Sequence, residues 1–216
     1  HRNGRHTREK NYRYACEVFS KVPVKPGKKK RVGITGEIYM KYSKLGNDDI
    51  ESFLLRQGME PYSGGFVNYC LYLVDTERYK AEKYQHNPIM VKACAFVLHR
   101  LCEAQKHLLT VIGETDRFQT DLPFPELKEK VQGILAEGCN TGDGWLIAAE
   151  VIQYVEKGCG SVLILHPFGC LVSHVCERGI LQRLHARFPD VSIQTIEYDY
   201  DQSKTLRESR ILLGIS

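Results

Sequence analysis

The sequence predicts an α/β, Rossmann-like domain: a mainly parallel sheet of about four strands, helices on both faces, and a helical insertion. Two observations predict it. Short apolar runs bounded by glycine alternate with longer segments of helical periodicity. Those runs are apolar throughout rather than alternating in and out, as expected where helices cover both faces of a parallel sheet.

Residues 1–30 read as a basic arm or linker. Residues 1–31 hold eleven Lys or Arg against Glu9 and Glu17, a net of +9, which leaves −5 for the remainder of a chain whose total is +4. Clustered cations such as KPGKKKR, residues 25–31, are the electrostatic footprint of phosphate binding. No base-reading motif accompanies them, so nucleic acid is disfavoured as a partner and the stretch reads as a solvated lead-in to the first strand.

The first strand, residues 32–35, stops at Gly36. Asn47 then caps a helix whose first turn carries Asp48, Asp49 and Glu51 and whose apolar stripe is Ile50, Phe53 and Leu54, ending near Gly58. Residues 59–63 hold a second short strand, and residues 64–86 are mainly helical. Asn87 followed by Pro88 opens a long helix to about Ile112, with Cys94, Leu98 and Cys102 on its apolar face beside Val91 and Leu101. Free cysteine packs as a small hydrophobe, so these two read as core. His99 and His107 fall among polar positions and read as exposed. The segment of about 64–137, which also holds a helix over 125–137, reads as an insertion packed on the sheet within a domain of residues 31–216. After the loop GCNTGDG, residues 138–144, come a helix from Trp145 closed by Gly158, a strand 161–165, a helix 171–187, a strand 191–197 and a helix 203–213.

Composition excludes several classes. With 43% apolar and 26% charged residues the chain is neither disordered nor collagen-like. No apolar run approaches the roughly 20 residues that span a bilayer, and no signal peptide precedes the first element. A soluble, cytoplasmic protein with no membrane partner is expected. The first residue is His1 rather than Met, as expected of a piece of a longer or processed polypeptide. The eight cysteines are scattered through regular elements and include no C-x2-C pair, so reduced thiols are expected.

In a doubly wound sheet, ligands bind at the carboxyl edge of the strands. Gly36, Glu37, Tyr39, Lys41 and Tyr42 follow the first strand, residues 166–170 follow the third, and residues 199–201 follow the fourth. The loop 138–144 precedes a helix running back to the start of strand 161, so it belongs to that edge as well. Cys159 precedes a strand and falls on the opposite edge. Cys139 and Cys170 face the cleft, and Cys170 and Cys176 reach one small centre only if Cys170 lies in the turn before its helix, which Pro167 and Gly169 favour. Cys170 is then a ligand or a reactive thiol, acidified by a helix N-terminus. Cys176 is either a further ligand or a core residue packed beside Val172 and Ile180. Glu37, His166 and His174 are the candidate acid–base groups, the histidines alternatively being ordinary surface or core residues. Gly142 and Gly144 in GDGW make a glycine-rich anion loop at a helix start, and with Tyr39 and Lys41 they are the candidate cofactor-binding residues. The loop is neither a dinucleotide fingerprint nor a Walker sequence. Asp199, Tyr200 and Asp201 either bind a cation or cap the last helix.

Four segments stand in order: VGITGEIYMKYSKLGN, GDGWLIAAEVI, HPFGCLVSHVCERGI and IEYDYDQS. Together they resemble the core of the 2-hydroxyacyl-CoA dehydratase-like proteins, in particular the region found in activase-related polypeptides and in double-cubane cluster proteins. The resemblance runs from about residue 31 to the C-terminus. It implies Rossmann-like domains that hold a cubane iron–sulfur cluster of the [4Fe-4S] type through cysteine thiolates. It further implies radical dehydration of an acyl-CoA substrate in anaerobic metabolism, after an ATP-dependent activator domain or protein has delivered one electron. On this resemblance Cys170 of PFGC is the ligand carried over, with Cys139 and Cys176 as further candidates. A cluster takes three or four thiolates, so the remainder of the parent polypeptide is expected to supply what this chain lacks. The rival expectation is an α/β domain that binds a ligand or a protein and has lost the cluster.

Overall fold

A computed structural model describes residues 2–24 and 27–215. His1 and Lys25, the first cation of KPGKKKR, lie outside the described residues. The chain divides into two compact units, residues 1–28 with 66–126, and residues 29–65 with 127–216.

The first unit is helical. Residues expected as an arm form α1 (Arg2–Ser20), grouped with α4 (Val67–Lys83) and α5 (Pro88–Gly113). The Asn87 side chain accepts a hydrogen bond from Met90 N at 3.1 Å, so the cap read from Asn-Pro is formed as expected. Buried Gln105 ties the unit together: its amide nitrogen donates to Asn68 Oδ1 at 2.6 Å and its oxygen accepts from Phe124 N at 2.9 Å. The expected apolar face of α5 is only half-buried at Cys94, Leu98 and Cys102, and Leu101 is exposed. His99 is exposed as expected, but His107 is half-buried and lies 3.6 Å from Glu9 of α1.

The second unit is a four-stranded parallel sheet, consistent with a Rossmann-like α/β fold. Its strands are β1 (Arg31–Gly36), β2 (Glu60–Ser63), β3 (Ser161–Pro167) and β4 (Ser192–Tyr198), in the order β2-β1-β3-β4. Between β1 and β2 lie α2 (Ile38–Tyr42) and α3 (Ile50–Arg56); α6 (Phe124–Lys130) and α7 (Gly144–Glu156) precede β3; α8 (Leu181–Arg187) lies between β3 and β4; and α9 (Lys204–Ile215) follows β4. Side chains alternate across each strand. Val32, Ile34, Leu163, Leu165 and Ile196 face one way, in a core with Phe53 and Leu54 of α3 and Ile211 and Ile215 of α9. The opposite face meets α7, which is buried on nearly its whole surface from Gly144 to Tyr154, as an all-round apolar helix must be. Tyr154 packs against Gly33, where an added Cβ would come within 2.8 Å of its ring, and its hydroxyl accepts from Gly64 N at 2.7 Å.

Two basic residues of the lead-in have structural uses in this unit. Lys30 Nζ donates to Ile215 O, and Arg31 reaches Lys157 O at 3.2 Å and Glu60 at 3.3 Å.

Two expected helices differ. The helix expected over 125–137 ends at Lys130 and continues as turns through Ile134. The helix expected over 171–187 is broken: residues Ser173–Glu177 form a π-turn and Arg178–Ile180 a 3₁₀ turn before α8. The wider π-turn changes the helical phase, so that Ser173, Cys176 and Glu177 are all buried. No helix among the described residues is long and apolar enough to cross a membrane.

Candidate functional site

The order β2-β1-β3-β4 reverses direction between β1 and β3, and the carboxyl ends of those two strands flank a topological switch point, where α/β sheets bind ligands. Gly36 permits the close approach there. Its φ is +130°, and a Cβ would lie 2.0 Å from Leu165 O, so only glycine fits. The next amide, Glu37 N, donates to Leu165 O at 2.8 Å.

Glu37 then turns its carboxylate back onto Met40 N at 3.0 Å and caps α2. Lys41, expected to face a cofactor, points inward instead. Its ammonium lies 2.8 Å from both carboxylate oxygens of Glu150, which also accepts from Thr35 Oγ1, and both charged side chains are buried. Burial alone would lower Lys41, but Glu150, with Tyr154 and Tyr42 adding, holds it above its ordinary value. Tyr39 is exposed, with its ring packed over Gly46. The Asn47 amide closes the loop by donating to Met40 O at 2.7 Å, and its oxygen accepts from Ile50 N at 3.4 Å, the first residue of α3.

The glycine loop approaches from the α7 side. Gly142 and Gly144 adopt φ of 57° and 40°, in the left-handed region, and Trp145 N donates to Cys139 O at 2.8 Å. A Cβ on Gly142 would press on the Val172 methyls at 3.3 Å. Asp143 is buried, and its carboxylate accepts from Ile38 N at 3.4 Å. Burial pushes it up to about 7, with Glu37 and Glu150 adding and the Ile38 amide and Lys41 opposing.

After β3, His166 is fully buried. Its Nδ1 donates to Pro167 O at 3.2 Å, and Nε2 has no hydrogen-bond partner. Burial holds its basicity below the ordinary histidine value, against the pull of the Pro167 carbonyl. His174 packs edge-on against it at 5.7 Å. Cys170 lies in the turn before the π-turn, with its N donating to Pro167 O at 3.4 Å and its O accepting from His174 N at 3.1 Å.

Three cysteines come together here. Cys176 is buried, with the Cys139 thiol close enough to act on its thiol and Cys170 acting more weakly. Burial, followed by Cys139, pushes its thiol up to about 11. Cys159 lies at the other edge, among Arg31, Glu60 and Lys157. Glu177, next to Cys176, is fully buried, with both carboxylate oxygens lacking a hydrogen-bond partner. Burial pushes it up to about 8; the nearby Ser173 hydroxyl opposes the rise, and Asp143 and Glu37 add to it.

The turn after β1, the loop 138–144 and the segment after β3 therefore share this edge: Asp143 accepts from Ile38 N, Gly142 faces Val172, His166 and His174 are paired, and Glu37 and Asp143 act electrostatically on Glu177. Thiols are the donors an iron–sulfur cluster takes. Yet among the described residues no group of three or more His, Cys, Asp or Glu is arranged to hold a metal ion, so the thiols as placed do not complete a cluster site. Asp199 Oδ1 accepts from Asp201 N at 3.2 Å, and Ser203 Oγ, not an aspartate, accepts from Leu206 N at the start of α9.

Sequence reasoning missed Glu150 and Glu177. The signal for Glu150 was its being the lone charge in the apolar helix LIAAEVI. Glu177 gave none, because a single glutamate inside the helix expected over 171–187 reads as an ordinary surface position. No family model matches the chain, and no curated protein or solved structure matches it significantly.

Proposed function

We propose that residues 29–65 and 127–216 form a domain of a 2-hydroxyacyl-CoA dehydratase-like or activase-related protein, and that its thiol-bearing edge contributes to an iron–sulfur centre completed by groups outside the present arrangement. The observation that carries this reading is the approach of the loop before α7, which holds Cys139, to the segment after β3, which holds Cys170 and Cys176: Gly142 faces Val172, and the Cys139 thiol acts on that of Cys176. Around them the chain's own residues prepare a floor of low charge. Asp143 and Glu177 have carboxyl groups raised to about 7 and about 8, so both carry protons over much of the neutral range. The Lys41–Glu150 pair anchors α2 to α7 and thereby holds the Glu37 turn in place.

One observation favours a second reading, a ligand- or protein-binding α/β domain without a metal: the described residues contain no group arranged as a metal site. Iron and acid-labile sulfide content, with a visible spectrum, separates the two after anaerobic reconstitution of the chain and of its Cys170→Ala variant. Stable iron and sulfide in the parent and not in the variant supports the cluster reading. Absence of uptake by both means that this chain lacks a complete site, and the same measurement on a longer polypeptide then decides: absence of uptake there as well supports the binding domain.

A further inference from the structure

The helical unit contains a recess of about 210 Å³ between α1 and α5, lined by Arg8, Tyr12, His99, Arg100, Glu103 and His107. Two arginines, Arg8 and Arg100, and one glutamate, Glu103, stand on its wall, and among the described residues neither arginine is paired with that glutamate or with another acidic residue. Glu9 and Glu114 are both engaged by Arg13, and Glu9 also lies 3.6 Å from His107. Arg8 and Arg100 have no ion pair or hydrogen bond among the described residues. Nor does the sequence of residues 1–6 or 25–26 contain an acidic residue that would supply one. Two guanidinium groups on one recess repel each other unless an anion lies between them.

We propose that this recess binds the phosphate or diphosphate group of a small-molecule ligand. Arginine is the side chain suited to it, because its planar fork of donors matches phosphate oxygens two at a time. Here the two arginines come from different helices and line the same recess. The Tyr12 and His107 rings, 6.4 Å apart and tilted by 50°, form an adjacent wall with a hydroxyl and a ring nitrogen to offer. Glu103 is the acidic exception, placed to accept from a hydroxyl or amino group on the same ligand. Pockets that enclose a whole drug-sized molecule run from about 300 to 1,000 Å³. The recess is smaller, so it takes the anionic end of the ligand and leaves the rest outside. This inference is independent of the thiol edge.

The test is calorimetric titration of the full chain with inorganic pyrophosphate at low salt. Saturable binding is expected, weakened about tenfold by Arg8→Gln or by Arg100→Gln through loss of charge-assisted hydrogen bonds. Lys92→Gln, on an exposed position of α5 outside the recess, is expected to leave it unchanged. Phenylglyoxal labelling of the parent chain provides a second readout free of substitutions, with pyrophosphate expected to protect Arg8 and Arg100. Absence of saturable binding at millimolar pyrophosphate overturns the proposal, as does an equal loss in Lys92→Gln. Binding of a single-stranded oligonucleotide that pyrophosphate cannot displace also overturns it and makes the surface one for nucleic acid.

Discussion

Replacing Glu177 by glutamine removes a buried charge while keeping the side-chain shape. Glu177 is fully buried, and neither carboxylate oxygen has a hydrogen-bond partner. Its carboxyl is raised from 4.5 to about 8, so the folded protein holds this proton more tightly than the unfolded chain does. The folded state therefore suffers no penalty from Glu177 below the unfolded value. It loses stability as pH rises from there through the folded value. At about 1.4 kcal/mol for each pH unit separating the two values, the full loss has a ceiling of about 5 kcal/mol. Guanidinium unfolding of the metal-free chain and of Glu177→Gln measures it. The two proteins are expected to be nearly equal at about pH 4 to 5, with the variant more stable by about 2 to 4 kcal/mol at about pH 9. A variant that follows the parent at every pH would refute the reasoning, because it would mean that water or an unseen partner solvates the ionised carboxylate in the folded state.

Three further outcomes are expected. Lys41→Met leaves Glu150 charged and buried, so it is expected to cost about 3 to 5 kcal/mol in chemical denaturation, most of which Lys41→Met/Glu150→Met recovers by removing both charges. Gly36→Ala places a methyl against Leu165 O at a backbone angle that disfavours side chains, and it is expected to prevent folding, as read by circular dichroism and solubility, whereas Gly58→Ala, with open space around it, is expected to fold with a milder loss. With iodoacetamide at mildly alkaline pH, mass spectrometry is expected to find Cys170 alkylated well before Cys176, which is buried and has its thiol pushed up to about 11.

Much of the sheet was legible because its signals are local. The run VGIT before Gly36, the run SVLIL after Gly160 and the Asn-Pro cap at 87–88 each declare themselves within a few residues. The meeting of the loop 138–144 with the segment after β3, seen where Gly142 faces Val172, followed from a rule about sheet edges rather than from spacing. The inward turn of Lys41 was not legible, since its partner Glu150 is 109 positions away and the sequence between carries no mark of the pairing. The π-turn was hidden for a different reason. LVSHVCERGI has apolar residues compatible with an ordinary helix, and only packing against the sheet selects the wider turn that buries Cys176 and Glu177 together.

The sequence by itself determined the four strands, the long helices around them and which loops share the carboxyl edge, because those depend on periodicity, capping and chain direction; it did not mark α1, read as an arm, or the break within 171–187. Only the tertiary structure decided that β1 lies beside β3 and so opens a switch point between them. It also decided that Asp143 and Glu37, remote in sequence from Glu177, add to the rise of its buried carboxyl, and that α1 meets α5 to form the recess lined by Arg8 and Arg100. Strand order and buried electrostatics depend on long-range pairing and on the removal of water. Both act between residues that no short window of sequence contains.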